Sequence, residues 1–415
     1  MPPIDRRLRI ALLSYRGNPR SGGQGVYVRY LSRALQELGH SVEVFAGPPY
    51  PELEAVALTK VPSLDLYRSG DPFRTPALKE FSSWIDVAEY ASMCGAGYPE
   101  PLTFSLRVAR LLKDRTGDFD VVHDNQCLGY GLLSVARRIP TLATIHHPIP
   151  IDRRLELEHS NGWKRSLSVR RWYHFARMQA RVARRMPRII TVSQSSRTDV
   201  VRELRVPAER VGVIHNGVDT ELFRPVSDVV RRPGRIITTA SADVPLKGLV
   251  FLVEALAKIR TEREADLVVI GAAKERGPVM RAIDRFGVGD AVTFRSDLDW
   301  SELVRMYAEA EVAVVPSLYE GFSLPAIEAM ACGLPLVATT AGALPEVIGA
   351  HDEAAVLVPP GDASALATEL LRLLGDERLR ARLGTAARAR VEQAFSWRST
   401  AEATVAEYKR VMRSC

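Results

Sequence analysis

Short runs of apolar and β-branched residues alternate with amphipathic stretches along the whole 415-residue chain. In the first half these runs start at Arg9, Ser41, Val121, Thr141, Arg188 and Val211; in the second half they start at Arg235, Leu267, Ala291, Val312, Pro335 and Ala354. Strand-like runs separated by helical patterns predict parallel sheets wrapped by helices. Six runs in each half predict two similar Rossmann-like α/β units. Phe223 to Arg235 lies between them, and its prolines, glycine and charges break both periodicities. It reads as a linker, which places the first domain at 1–225 and the second at 230–394. After Ser396, Trp397, Ala401, Val405, Tyr408 and Met412 recur at the spacing of one helix face, so a closing helix is expected. Open α/β sheets bind ligands beyond the carboxyl ends of their strands. Two such units facing each other would hold a ligand in the cleft between them.

Composition narrows the class only a little. The chain is 25% charged and carries a net charge of +7, yet arginine outnumbers lysine 48 to 8, a bias that a GC-rich genome produces without any function. Nucleic acid is not expected as a partner. Cys94, Cys127, Cys332 and Cys415 form no CxxC pair, so neither a zinc site nor a disulfide framework is expected, and a reducing cytoplasm fits. The apolar run near the N-terminus is too short for a signal peptide and reads as a strand. No apolar stretch approaches the ~20 residues that span a bilayer. A soluble protein, or one peripheral at the inner face of a membrane, is expected.

The segment PSLYEGFSLPAIEAMACG, ending at Gly333, carries the most chemistry. It runs from a strand end through a glycine-containing loop into a helix, with Ser323 as the expected N-cap and Pro325 in the first turn. A helix start of this kind aims backbone N–H groups and a positive dipole end at a ligand, which suits a diphosphate. Glu320 and Glu328 flank that position, and each carboxylate can accept paired hydrogen bonds from vicinal hydroxyls. Read singly, Glu328 also suits an ordinary acid complementing the helix dipole.

The string EGFSLPAIEAMACGLPLVAT resembles the E-x7-E signature of retaining glycosyltransferases, family 4 in particular. SGGQGVYVRYLSRALQELGHSVEVF resembles that family's first glycine-rich loop and helix, VVHDNQ its third strand, HNGVDTELF its interdomain approach and VPLKG its basic phosphate loop. The resemblance implies a GT-B fold, with 395–415 crossing back to the first domain. It implies that Glu320 contacts the donor sugar, Glu328 the ribose, and Gly321, Phe322, Ser323 and Leu324 the diphosphate. The implied reaction moves a hexosyl group from a UDP- or GDP-linked sugar to a glycan, small-molecule or lipid acceptor, with retention at the anomeric carbon. A sugar-nucleotide epimerase of the same architecture and a non-catalytic nucleotide-sugar or membrane-surface binding protein are the alternatives.

Other residues refine this picture. Gly22 and Gly23 follow the first strand and would let backbone amides approach a pyrophosphate or acceptor. They do not complete a dinucleotide fingerprint, because Val28 stands at the third glycine's place and Glu43 falls mid-strand. Lys247 follows a second-domain strand and can neutralise a leaving diphosphate, while Ser241 stands where the family carries a second basic residue. His123, Asn125 and His146 end two first-domain strands and face the expected cleft; relatives often place a histidine where Asn125 stands. Asn125 and His146 are the candidates for the acceptor side of the catalytic site. Asp118–Asp120 and Asp297–Asp299 form DxD strings that read as structural, so no metal and no cofactor are expected. Between Arg153 and Arg188 eleven basic residues meet only two acidic ones. From Val169 to Met186 the apolar spacing predicts one basic amphipathic helix, which either packs into its own domain or lies on anionic lipid.

Overall fold

The computed structural model describes residues 7–18, 23–68, 70–158, 162–240 and 244–414. The chain divides into two compact units, one of Met1–His215 with Trp397–Cys415 and one of Asn216–Ser396. The second unit starts ahead of the expected linker because the residues before it, together with Phe223 at its start, are packed into that unit. Val218 donates its N–H to the Phe395 carbonyl at 3.0 Å, and the buried Phe223 ring lies edge-on to Trp300 and Tyr307.

Unit 1 holds one sheet of seven strands: β1 (Arg9–Ser14), β2 (Ser41–Ala46), β3 (Ala57–Lys60), β4 (Val121–Asn125), β5 (Thr141–Ile145), β6 (Arg188–Thr191) and β7 (Val211–Val213). Their order is β3-β2-β1-β4-β5-β6-β7, with every neighbouring pair parallel. Six of the seven coincide with the apolar runs, and β3 lies in a stretch with no readable pattern. Its sequence ALTK is half exposed at the sheet edge, so it lacks the apolar signal of a central strand. Successive side chains of β1 point to opposite faces. Ala11 and Leu13 pack with Phe104, Val108 and Val182, whereas Ile10 and Leu12 pack with Leu31 and Leu35. Onto this second face comes the helix Trp397–Ser414, burying Trp397, Ala401, Val405, Tyr408 and Val411. Its larger apolar side chains contribute about 2 kcal/mol each. Arg188 adds a bidentate contact to Glu407 at 2.6 and 2.9 Å, tying the helix to β6.

Unit 2 repeats the plan with six parallel strands: β8 (Arg235–Thr239), β9 (Asp266–Ile270), β10 (Val292–Arg295), β11 (Val312–Val315), β12 (Leu336–Thr339) and β13 (Val356–Val358). Their order is β10-β9-β8-β11-β12-β13. β11 and β12 are buried at every position, which is why they read as unbroken apolar runs. The helices Leu249–Ile259 and Ala363–Gly375 press Leu252, Leu256, Leu366 and Leu370 into the same core.

Both sheets reverse their strand order beside the first strand: β1 lies between β2 and β4, and β8 between β9 and β11. A crevice opens at such a reversal because the two flanking connections leave in opposite directions. The loops that leave it are those after β1 and β4 in unit 1, and those after β8 and β11 in unit 2.

Candidate functional site

In unit 2 the two loops at the reversal are locked to each other. Leaving β8, the chain makes a single turn over Pro245–Lys247 and enters the next helix through Gly248, at φ 63°. A Cβ on Gly248 would lie 2.0 Å from the Pro316 carbonyl oxygen, so only glycine lets this turn rest on the loop after β11. Leu318 donates its N–H to the Leu246 carbonyl at 2.7 Å, and the Lys247 ammonium meets Glu320 Oε1 at 2.7 Å. Ser317 donates its hydroxyl to the same oxygen at 2.7 Å. From the other side, Gly342 lets the next connection touch Glu320, where a Cβ would lie 2.2 Å from the Glu320 carbonyl oxygen. That carbonyl accepts the Ala343 N–H at 2.9 Å. Glu320 is therefore fixed through both its side chain and its backbone. Ser317, Gly248 and Gly342 are the supporting residues that sequence reasoning missed. Their only signal was position, a hydroxyl just past a strand end and glycines in the connections from strand to helix.

The helix Leu324–Ala331 begins at Ser323, with Pro325 in its first turn as expected. The capping expected of Ser323 does not occur. Its backbone is left-handed (φ 85°, ψ 84°), its side chain accepts nothing from the helix, and its buried hydroxyl has no hydrogen-bond partner. A non-glycine residue held at positive φ costs about 1–2 kcal/mol. The first-turn amides thus lack their usual side-chain cap, a condition suited to an incoming anion. Phe322 turns inward and packs edge-on to Phe395 at 5.6 Å, so only its backbone can serve a ligand. Gly321 and Leu324 are partly exposed on either side of it.

Glu328 lies one turn further and is buried. Burial pushes its carboxyl up to about 7, opposed by a hydrogen bond from the Tyr307 hydroxyl. Tyr307 in turn meets Thr239 Oγ1, at the end of β8, at 2.9 Å. Glu328 is more than a dipole-complementing acid, because it is joined by hydrogen bonds to the strand on which the reversal begins. Ser241, where a second basic residue was expected, lies outside the described residues, as does Gly22.

In unit 1, Gly23 opens the helix Gly23–Glu37 and is exposed. Gly25, unremarked in the sequence, is the tighter position: a Cβ there would lie 2.0 Å from the Asn18 carbonyl oxygen. Asn125, the last residue of β4, donates through Nδ2 to the Gln24 carbonyl at 3.3 Å. That orientation turns its Oδ1 toward His146 Nε2 at 2.7 Å, so Nε2 carries the proton and Nδ1 is the acceptor. Burial, then the neighbouring His147, lower the His146 pKa to about 3, leaving the ring neutral and weakly basic. Asn125 and His146 thus come together as expected. His123 does not join them. It is wholly buried within the sheet, with Nδ1 2.7 Å from the Tyr408 hydroxyl and Nε2 2.6 Å from Thr144 Oγ1, and burial lowers its pKa to about 3. The expectation that it faces a ligand is corrected: a polar residue in the middle of a doubly covered strand points into the core.

The remaining candidates are structural. Glu43 is held by both ends of the Arg115 guanidinium at 2.8 Å. Asp120 pairs with Arg9, Asp118 with Arg115, and Asp299 caps the helix Trp300–Glu309. Among the described residues no group of three or more His, Cys, Asp or Glu side chains is placed to hold a metal ion, and no helix is long and apolar enough to cross a membrane. The single basic helix expected from Val169 to Met186 is broken at Tyr173–His174 into Trp163–Trp172 and Phe175–Ala183. Its apolar stripe is largely buried in its own unit: Val169, Met178, Val182 and Met186 are core residues.

Known proteins resemble this chain over nearly its whole length. A family model described as glycosyl transferases group 1 matches residues 233–376, and one described as glycosyltransferase family 4 matches residues 21–222. The MMP alpha-(1->4)-mannosyltransferase of Mycolicibacterium hassiacum is 53% identical over 408 residues, covering 98% of each chain. The D-inositol 3-phosphate glycosyltransferase of Streptomyces bingchenggensis is 28% identical over 438 residues, covering 98% of this chain and 90% of the relative. Sucrose-phosphate synthase from Thermosynechococcus elongatus superposes with a TM-score of 0.75 at 24% identity, covering 99% of this chain and 100% of the other. Anabaena HepE, solved in complex with UDP and glucose, does so at 0.71 and 18%, covering 97% and 100%. These structural likenesses establish the fold.

Proposed function

The chain belongs to the group 1 glycosyltransferases of family 4, with the GT-B fold, and on that premise we propose that it transfers an α-mannosyl residue from a nucleoside-diphosphate mannose to a saccharide acceptor, with retention. The sugar and the linkage class follow from the mannosyltransferase that is 53% identical from end to end. The observation that carries the site is the Lys247–Glu320 pair, held beside an uncapped helix start at the strand reversal of unit 2.

In this reading the diphosphate sits on the first-turn amides around Ser323, and Lys247 neutralises it as the glycosidic bond breaks. Glu320 holds hydroxyls of the sugar, and Glu328 the ribose diol. One preorganised contact of this kind is worth ~3 kcal/mol of barrier. The neutral His146, which already donates Nε2–H to Asn125, is a poor proton acceptor. This favours a same-face transfer in which the departing phosphate takes the acceptor's proton, and Asn125 and His146 orient the acceptor. The donor stabilisation needs no metal ion.

Incubating the protein with GDP-mannose and a mannoside acceptor, in parallel with UDP-glucose and in the presence of EDTA, tests the proposal. Mannosyl transfer with an α-configured product is the expected result. Lys247→Met is expected to slow it by about 10²–10³-fold. Glu320→Gln activity equal to wild type, loss of transfer to the chelator, or a β-configured product would overturn the assignment.

A further inference from the structure

Unit 1 contains a hollow lined by none of the residues assigned above to the transfer. It has a volume of about 740 Å³ and opens between the 92–102 segment and the helices Trp163–Trp172 and Phe175–Ala183. That size suits a ligand as large as a disaccharide or an aryl phosphate. Arg153, Arg170, Arg171, Arg177 and Arg181 line it, and no aspartate or glutamate does.

Arg170, Arg171, Arg177 and Arg181 are exposed, and Arg153 is half-buried. Among the described residues none of the five cavity arginines forms an ion pair. Arg181 only touches the Tyr130 hydroxyl, at 3.1 Å, and the Arg153 Nε is buried without a hydrogen-bond partner. A buried guanidinium N–H is costly to leave unpaired, and like charges facing one hollow repel. An anion in the hollow relieves the repulsion. The other walls are aromatic: Tyr98 and Tyr173 lie 5.3 and 6.3 Å from the Phe175 ring, centroid to centroid. Such walls suit a flat or apolar body better than a bare inorganic ion.

We propose that this cavity is a binding site for an organic anion, a phosphate, sulfate or carboxylate carried on a ring-bearing or apolar body. The anion is held by the arginines and the body rests on the aromatic wall. The proposal goes beyond the transferase reading and stands without it. The same chemistry could be presented by a soluble ligand or by a lipid headgroup.

The test uses the whole protein with GDP and UDP at saturating concentration, so that a nucleotide site is occupied. Binding of p-nitrophenyl phosphate is measured by calorimetry beside its neutral counterpart p-nitrobenzyl alcohol, and cosedimentation with phosphatidylglycerol vesicles is measured separately. The expected result is saturable binding of the phosphate but not the alcohol, weakened by salt. In Arg170→Gln/Arg177→Gln it should fall by about tenfold per arginine removed. Both side chains are exposed, so the variant is expected to melt like the wild type. Vesicle binding lost in the same variant would identify the source as a lipid headgroup; phosphate binding without vesicle binding would identify a soluble ligand. No binding of either, equal binding of the neutral alcohol, or phosphate binding unchanged in the variant would overturn the proposal. Nucleotide binding measured on the same preparation reports separately on the transferase reading.

Discussion

At the scale of single residues, the proposed donor side depends on two kinds of constraint, steric and ionic. Gly248 illustrates the first. Its left-handed backbone and the Pro316 carbonyl oxygen 2.0 Å from any Cβ leave no room for a side chain. Gly248→Ala is expected to destabilise unit 2 by about 2 kcal/mol or more, measured by denaturant unfolding, and to weaken nucleotide binding because the Lys247 turn must lift from the loop it rests on. Glu328 illustrates the second. With its carboxyl raised to about 7 by burial, it is largely protonated at pH 6 and largely ionised at pH 8. On the proposed ribose contact the ionised form would accept both hydroxyls of the diol, so nucleotide affinity is expected to rise as pH passes through about 7. Calorimetric titrations from pH 5.5 to 8.5 would show it, and Glu328→Gln should flatten the dependence. Glu320, Lys247 and Glu328 were legible because their chemistry shows in residue type and spacing. Ser323 was misread, since a serine before a helix has two available backbone conformations and only tertiary packing selects the left-handed one.

At the scale of elements, the helix Trp397–Ser414 shows how polar and apolar contacts divide the work. Tyr408 is fully buried, and its hydroxyl lies 2.7 Å from His123 Nδ1. Tyr408→Phe keeps the ring but removes that partner, and a loss of about 1–2 kcal/mol is expected. Tyr408→Ala also leaves a cavity and should cost about 3–5 kcal/mol. Thermal melts of the two variants would separate the contributions, with nucleotide binding retained in both if unit 2 is undisturbed. All twelve apolar runs became strands: the inner strands are covered on both faces and must be apolar almost throughout, and the edge strands β7, β10 and β13 keep enough apolar residues to be read. β3 escaped notice because an edge strand is not so constrained. The basic stretch between Val169 and Met186 kept helical spacing across the break at Tyr173–His174, so periodicity alone hid the corner in the chain.

At the scale of the molecule, buried ionisable groups give the units different responses to pH. In unit 2, Glu328 binds a proton more readily folded than unfolded. Its contribution is full below its ordinary value near 4.5 and is lost as pH rises through about 7, by at most about 3 kcal/mol. In unit 1, Glu100 and Asp124, both raised to about 7 by burial, act the same way. His123 and His146, lowered to about 3, act oppositely: the unfolded chain binds their protons first, so stability is lost as pH falls below about 6.5. Between about pH 4.5 and 6.5 these terms offset in unit 1 but not in unit 2. Hydrogen exchange is expected to show the amides of β11 and the helix Leu324–Ala331 less protected at pH 7.5 than at pH 5, after correction for intrinsic rates, and those of β4 and β5 nearly unchanged. The order of the chain adds one more consequence. Because Trp397–Cys415 belongs to unit 1, unit 2 is an insertion within it. During synthesis on the ribosome, the face of β1 bearing Ile10 and Leu12 therefore waits, without its closing helix, until all of unit 2 has been translated. For that interval the nascent first unit presents a greasy, incompletely roofed sheet, and chaperone capture should be strongest for chains stalled just before Trp397.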